Sequence, residues 1–161
     1  MVKSFTNKGL DEIDKQILTF LQRDATLSNV EIARFVNLSP PATHARVKRL
    51  EKEGYIERYT TVLNREKLGY DLLCFIYIKT NEHVTEKLQP FEEAIMKMDE
   101  VLECHHITGE YDYLLKVVIQ NSDDLRNFIV NKISSIQNVS GVQTSLSYEV
   151  VKSSYTIPIP E

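Results

Sequence analysis

The chain has 161 residues, 42% apolar and 26% charged, with a net charge of −4, which suits one or two small domains with a packed core. No apolar run approaches the roughly 18–20 residues that a membrane helix needs, and the opening MVKSFTNKGLDEIDKQ lacks the apolar centre of a signal peptide. A cytoplasmic protein without membrane partners is expected, and its two cysteines, Cys74 and Cys104, read as buried reduced thiols rather than a disulfide.

The average charge hides an asymmetry. Residues 1–64 carry a net +2 and residues 65–161 a net −6, and the stretch from Ile32 to Leu50 holds Arg34, Arg46, Lys48 and Arg49 with no acid. A locally basic element on an acidic protein points to one DNA-facing surface.

The first predicted element is an amphipathic helix of about fifteen residues. Leu10, Ile13, Ile17 and Leu21 form its apolar stripe, and Asp11 is its cap. After RDATLS, Ser28 and Glu31 stand in capping-box spacing at the start of SNVEIARFVNL, with Val30, Ala33 and Val36, or Ile32 and Val36, as its stripe. A third helix follows in SPPATHARVKRLEKEGYI: Ser39 caps it, Pro40 takes the first helical position, and Gly54 stops it. Thr43, Val47 and Leu50 make its buried stripe, which leaves Pro41, Ala45 and Lys48 pointing outward. Ala42, His44 and Arg49 flank that outer face, and Arg46 lies nearer the core edge. Such a face is small at its start and basic at its end, so the helix can settle into a major groove while its cations reach phosphates. YIERYTTVLN alternates apolar and polar residues and predicts a strand, the wing of a winged helix-turn-helix.

These residues carry a resemblance. LDEIDKQILTFLQRDATLSNVEIARFVNLSP followed by RVKRLEKEGYI resembles the DNA-binding domain of the leucine-responsive/asparagine-regulator family of transcription factors (Lrp/AsnC). The resemblance implies a regulator that binds double-stranded DNA, not an enzyme. PATHA departs from the family's usual reading face, so no target sequence carries over.

NREKLGYD, with Gly69, reads as a hinge. Beyond it come a strand at 72–80, a helix at 84–98 with Leu88, Phe91, Ile95 and Met98 on one face, and strands at 101–108 and 113–120. A helix at 122–136 capped by Ser122 and a closing strand at 141–155 complete the order β-α-β-β-α-β, a ferredoxin-like motif. The expected fold is thus α+β, with a winged helix-turn-helix at 1–60, a strand and hinge at 61–70, and a ferredoxin-like domain at 71–161. Two helices cover one face of such a sheet, yet LLCFIYI and YLLKVVI are apolar at nearly every position, so the second face is expected to pack on another copy. The domain order resembles the effector-binding and oligomerisation domain of the same family, whose members form dimers, then tetramers or octamers.

Residues 104–113, CHHITGEYDY, group a cysteine and two histidines, but as metal ligands they fail: adjacent strand residues point to opposite faces, and no second ligand pair stands at suitable spacing. No metal or cofactor is expected. A catalytic role for His105 or His106 survives only as a siroheme decarboxylase-like enzyme, an activity on the same architecture. The remaining reading is an amino-acid pocket. Turn N–H groups around Gly109 bind a carboxylate, Glu110 or Asp112 pairs with the ammonium, and Tyr111 contacts the side chain. ECHHITGEYDYLLKV resembles the family's effector loop, which assigns Thr108, Gly109, Tyr111 and Asp112 as effector contacts and, more loosely, Thr144, Ser145 and Ser147 in the last strand. Against this stands a tight hairpin and oligomer contact with no ligand, the form taken by an architectural DNA-binding protein.

Overall fold

Every helix at the start of the chain begins on a side-chain cap, because the first amides of a helix have no partners of their own. Helix α1 (Glu12–Arg23) opens on Asp11 in a reciprocal capping box with Asp14; α2 (Asn29–Phe35) opens on Ser28 in the same arrangement with Glu31; α3 (Pro40–Lys52) opens on Ser39 with proline at its first position. Gly54, at φ +79°, ends α3 in the manner its sequence predicts: its N–H donates to the Glu51 carbonyl at 3.1 Å and that of Tyr55 to Leu50 at 3.0 Å. The structure is a computed structural model that describes residues 9–81 and 85–160, apart from the side chains of 85–87. Among these residues no helix is long and apolar enough to cross a membrane.

Contacts divide the chain into two units. One runs up to Val62 and takes in the chain from Lys152 onward; the other is Leu63–Val151. In the first unit, Ile17 and Leu21 of α1, Ile32 and Val36 of α2, and Val47 and Leu50 of α3 form one core. Val30, offered by the periodicity as a stripe residue, is exposed, because α2 turns its Ile32–Ala33 side inward. Residues 57–64 do not form the predicted wing strand. Alternation marks a chain fit for an extended path, but a strand needs a ladder partner, and this segment has none among the described residues. Tyr59, Val62 and Leu63 are exposed there, with the Tyr59 hydroxyl donating to Glu51 Oε1 at 3.1 Å.

The second unit starts with a short turn, Glu66–Leu68, ended by Gly69 at φ +84°. Then follow β1 (Leu72–Thr80), α4 (Thr85–Ile95), β2 (Val101–His106), β3 (Tyr113–Ile119), α5 (Ser122–Asn127, continued by a π-helical turn through Phe128–Ile133) and β4 (Val139–Leu146). The sequence places the start of α4 at Val84, which lies outside the described residues. The sheet is antiparallel in the order β2-β3-β1-β4, the ferredoxin-like arrangement. Asn121, not Ser122, caps α5, accepting from the N–H groups of Asp123 and Asp124, both at 3.0 Å.

One face of the sheet carries Cys74, Ile76, Ile78, Tyr113, Leu115 and Val117 beneath Leu88, Phe91 and Ile95 of α4 and Phe128 and Ile133 of the last helical segment. The other face presents Phe75, Tyr77 and Leu114, all half-buried. Cys74 is buried, but Cys104 is exposed, because β2 is an edge strand with one neighbour. The closing strand stops at Leu146 rather than 155: Leu146 pairs with Cys74, and β1 begins only two residues earlier. From Lys152 the chain joins the first unit, where the Gln22 amide donates to the Ile157 carbonyl at 3.0 Å and accepts its N–H at 3.1 Å.

Candidate nucleic-acid interface and effector turn

Helix α3 buries Thr43, Val47 and Leu50 and exposes Pro41, Ala42, His44, Ala45 and Lys48, as its spacing predicts. Ser39 is used by the helix itself, its Oγ accepting the Ala42 N–H at 3.4 Å and its carbonyl the Thr43 hydroxyl at 3.2 Å. The cations of α3 divide into two kinds. Arg46 Nη1 donates to Asp11 Oδ2 at 2.6 Å and Asp14 Oδ1 at 2.8 Å, and Arg49 Nη2 donates to Asp14 Oδ2. Asp14 is fully buried, so both guanidiniums are committed to clamping α3 against α1. The Asp14 N–H first, and then Arg46, hold the Asp11 carboxyl below the usual carboxylate range.

Lys48 is the freer cation. Its Nζ lies 2.6 Å from Glu51 Oε2, and its side chain is 62% exposed. Such an exposed pair is worth well under about 1 kcal/mol, so the ammonium can swing to a phosphate. Lys48→Ala is therefore expected to weaken binding equally across DNA sequences and lower the salt slope by about one. Arg46→Ala and Arg49→Ala should lower thermal stability more and the slope less; titrations at several salt concentrations separate the two behaviours.

Sequence spacing did not reveal the partner of His44. Its Nδ1 lies 3.0 Å from Nδ2 of Asn29, the first residue of α2 and half-buried. The pair spans two helices, and only their packing reveals it.

In the second unit, strand register sorts the cysteine and histidines as alternation predicts. Cys104 pairs with Leu115 and His106 with Tyr113, both on the helix-covered face, whereas His105 pairs with Leu114 on the other. The His106 ring stacks on Tyr113 at 4.7 Å, and the Tyr113 hydroxyl donates to Glu92 Oε1 at 2.7 Å. Although Cys104 stands at the sheet edge, desolvation of its thiol, with the Glu92 charge second, pushes it up to about 11, so it stays a protonated thiol near neutral pH. His105 Nε2 hydrogen-bonds Glu103 Oε2 at 3.1 Å, and Lys116 donates to Glu103 Oε1 at 2.8 Å. Lys116 foremost, then His105, hold the Glu103 carboxyl below its ordinary range.

The turn between β2 and β3 is tied down at its far end. The Asp112 N–H donates to the Ile78 carbonyl at 2.9 Å and its own carbonyl accepts from the Ile107 N–H at 2.8 Å. Its carboxylate Oδ2 accepts from both the N–H and the hydroxyl of Thr80, at 2.7 and 2.8 Å. Asp112 therefore anchors the turn to β1 and does not simply offer an open carboxylate. Thr108, Gly109 and Glu110 are exposed at its tip. Gly109 sits at φ +129°, which favours glycine, and a Cβ there would meet no protein atom within 4 Å, so conformation rather than crowding requires it.

Tyr111 folds back over the exposed sheet face, its ring 5.5 Å from Tyr77 and its hydroxyl 2.5 Å from Gln143 Oε1. Among the last-strand residues, Thr144 pairs with Ile76 of the core face and Ser145 with Phe75 of the other, so the two do not share one site. The Ser147 N–H is taken by the Leu73 carbonyl at 2.8 Å. Tyr77, Thr80 and Gln143 were missed by sequence reasoning; strand parity places Tyr77 and Gln143 opposite each other once the register is known.

Comparison with known proteins bears on both units. Residues 10–57 match the family model described as winged helix-turn-helix DNA-binding, and residues 73–157 match the Lrp/AsnC ligand binding domain. The transcriptional regulator AzlB of Bacillus subtilis is 38% identical over 152 residues, covering 94% of this chain and 97% of that protein. The leucine-responsive regulatory protein of Escherichia coli K12 is 36% identical over 157 residues, covering 98% and 96%. Among solved structures, a transcriptional regulator of Neisseria meningitidis in complex with L-Met superposes with a TM-score of 0.89 at 31% identity, covering 93% of this chain and 97% of that one. Escherichia coli AsnC superposes with a TM-score of 0.84 at 28% identity, covering 92% and 98%. With a DNA-binding helix-turn-helix followed by the family's ligand-binding sheet, the chain belongs to the Lrp/AsnC family of DNA-binding transcriptional regulators.

Proposed function

We propose that this regulator reads specific DNA sequences with α3, and that a small amino acid held at the β2–β3 turn governs its assembly and its DNA binding. The observation that carries the second half is the Asp112 anchor. It fixes the turn to β1 while leaving Thr108, Gly109 and Glu110 on display beside Tyr111. A rigid turn of this kind offers backbone N–H groups for a carboxylate and Glu110 for an ammonium, with little ordering cost on binding. Of the three last-strand candidates, Ser145 lies on the same sheet face as Tyr77 and Gln143, whereas Thr144 belongs to the core and Ser147 acts through its backbone. The related regulator solved with L-Met makes an apolar amino acid the first candidate.

On this reading Phe75, Tyr77 and Leu114 are covered by a second copy, the turn lies where dimers meet in a tetramer or octamer, and the protein works in the cytoplasm. An amino acid that binds one assembly state better shifts the oligomer and with it the spacing of the α3 helices. Pro41, Ala42 and Ala45 let α3 approach the base edges, and Lys48 holds a phosphate. An architectural DNA-wrapping role uses the same sheet face but no effector. The enzyme reading finds less support, since His106 is stacked on Tyr113, and His105 is engaged with Glu103 on the opposite face.

Titrating the protein with each of the twenty amino acids, while following sedimentation and DNA-binding anisotropy, tests this. One or a few amino acids should move both readouts together. If all twenty leave assembly and DNA affinity unchanged, the sensing role is wrong and the architectural reading takes its place.

A further inference from the structure

The reading face of α3 holds one side chain whose hydrogen-bonding character is set from outside the helix. An amide nitrogen only donates, so the contact from Asn29 Nδ2 at 3.0 Å requires His44 Nδ1 to accept, and Nδ1 then carries no proton. In the neutral ring the proton must sit on Nε2, at the side of the imidazole away from Asn29. The donating residue is itself well placed: Asn29 is the first residue of α2, directly after the Ser28 cap and within the Ser28–Glu31 capping box, and is half-buried. His44 is exposed and lies one helical turn before Lys48 and two before Glu51, which are occupied with each other.

We propose that Asn29 fixes the tautomer of His44, so that Nε2–H is presented as a hydrogen-bond donor to a base edge in the major groove, and that the edge it selects is guanine. In that groove guanine offers two adjacent acceptors, N7 and O6; adenine sets its N7 beside an N6 donor, thymine offers O4 alone beside its methyl group, and cytosine offers the N4 donor, which opposes an N–H. The small residues Pro41, Ala42 and Ala45 beside His44 leave room for the ring to reach base depth. Asn29 is a positioning residue here, and His44 is the residue that reads. The proposal rests on the reading above that α3 enters the major groove.

Two measurements test it, and their failures are distinguishable. The first needs no DNA. In the ¹⁵N-labelled full-length protein at neutral pH, long-range ¹H–¹⁵N spectra should show His44 with the proton on Nε2, and Asn29→Ala should move its two nitrogen shifts toward each other. A proton on Nδ1, or shifts unmoved by Asn29→Ala, overturns the positioning role. The second is selection from randomised duplexes, followed by replacement of the selected guanine with 7-deazaguanine, which lacks the N7 acceptor.

His44→Ala should erase the guanine preference at one position per half-site, leaving the other positions intact, and Asn29→Ala should relax it. The 7-deaza substitution should weaken the unaltered protein about tenfold and His44→Ala hardly at all. If His44→Ala leaves every selected position unchanged, His44 does not read and the proposal falls while α3 recognition stands. If the unaltered protein selects no sequence, the α3 reading itself is wrong, whatever the tautomer.

Discussion

Asp14→Ala is expected to lower the stability of the DNA-binding unit by about 3 kcal/mol, and to do so more than any substitution on the exposed face of α3. The carboxylate is fully buried and does three jobs. Oδ1 accepts from Arg46, Oδ2 accepts from Arg49, and Oδ2 also accepts the Asp11 N–H at 3.2 Å in the capping box of α1. Removing it leaves two cations beside an empty buried site. Arg46 keeps Asp11, but Arg49 loses its only hydrogen-bonded partner among the described residues, and its buried Nε already lacks one. Breaking a buried ion pair costs about 3–5 kcal/mol. The lower end applies because the Arg46 and Arg49 side chains are 29% and 41% exposed and recover some hydration. Urea unfolding of the full-length protein, followed by signals from the first unit, measures it. A loss below about 1 kcal/mol would mean that the arginines simply turn to water and that the clamp does not set the seat of α3.

The second large effect separates two roles of one carboxylate. Asp112→Asn keeps an oxygen that can accept from the Thr80 N–H and hydroxyl, so the turn should stay anchored and the fold should lose under about 1 kcal/mol. Asp112→Ala removes both bonds and should cost about 1–3 kcal/mol and loosen the turn. If the charge of Asp112 meets an amino-acid ammonium, the asparagine variant loses the amino-acid response while folding normally. If only the anchor matters, asparagine responds like the unaltered protein and alanine does not. Thermal unfolding paired with amino-acid titration of both variants gives the answer, and a full response in Asp112→Ala would dismiss both roles.

What was legible in the sequence was local. The cap at Asp11, the capping box at Ser28, the proline and glycine that bracket α3, and the parity that parts His105 from Cys104 and His106 depend on residues within a few positions of one another. The roles of Arg46 and Arg49 were not legible, because both arginines are held by acids more than thirty residues away, and spacing within one helix says nothing about that. The same limit hid the Thr80 anchor of Asp112 and the Asn29 partner of His44. YIERYTTVLN misled in another way: alternation reports that a segment suits an extended path, not that a neighbouring strand exists. The early end of β4 has a geometric cause, since its partner runs out.

The segment beyond Lys152 changes what the DNA-binding unit is. Built from both ends of the chain, it is joined to the sheet unit by two covalent crossings, at 62–63 and 151–152, so the ligand-binding unit is in effect an insertion within it. The hydrogen bonds of Gln22 to Ile157 would not hold two separate molecules together. Within one chain the first crossing keeps the tail at high effective concentration near α1, so a contact with almost no affinity of its own stays made. A clasp of that kind opens at small cost and closes again without a search.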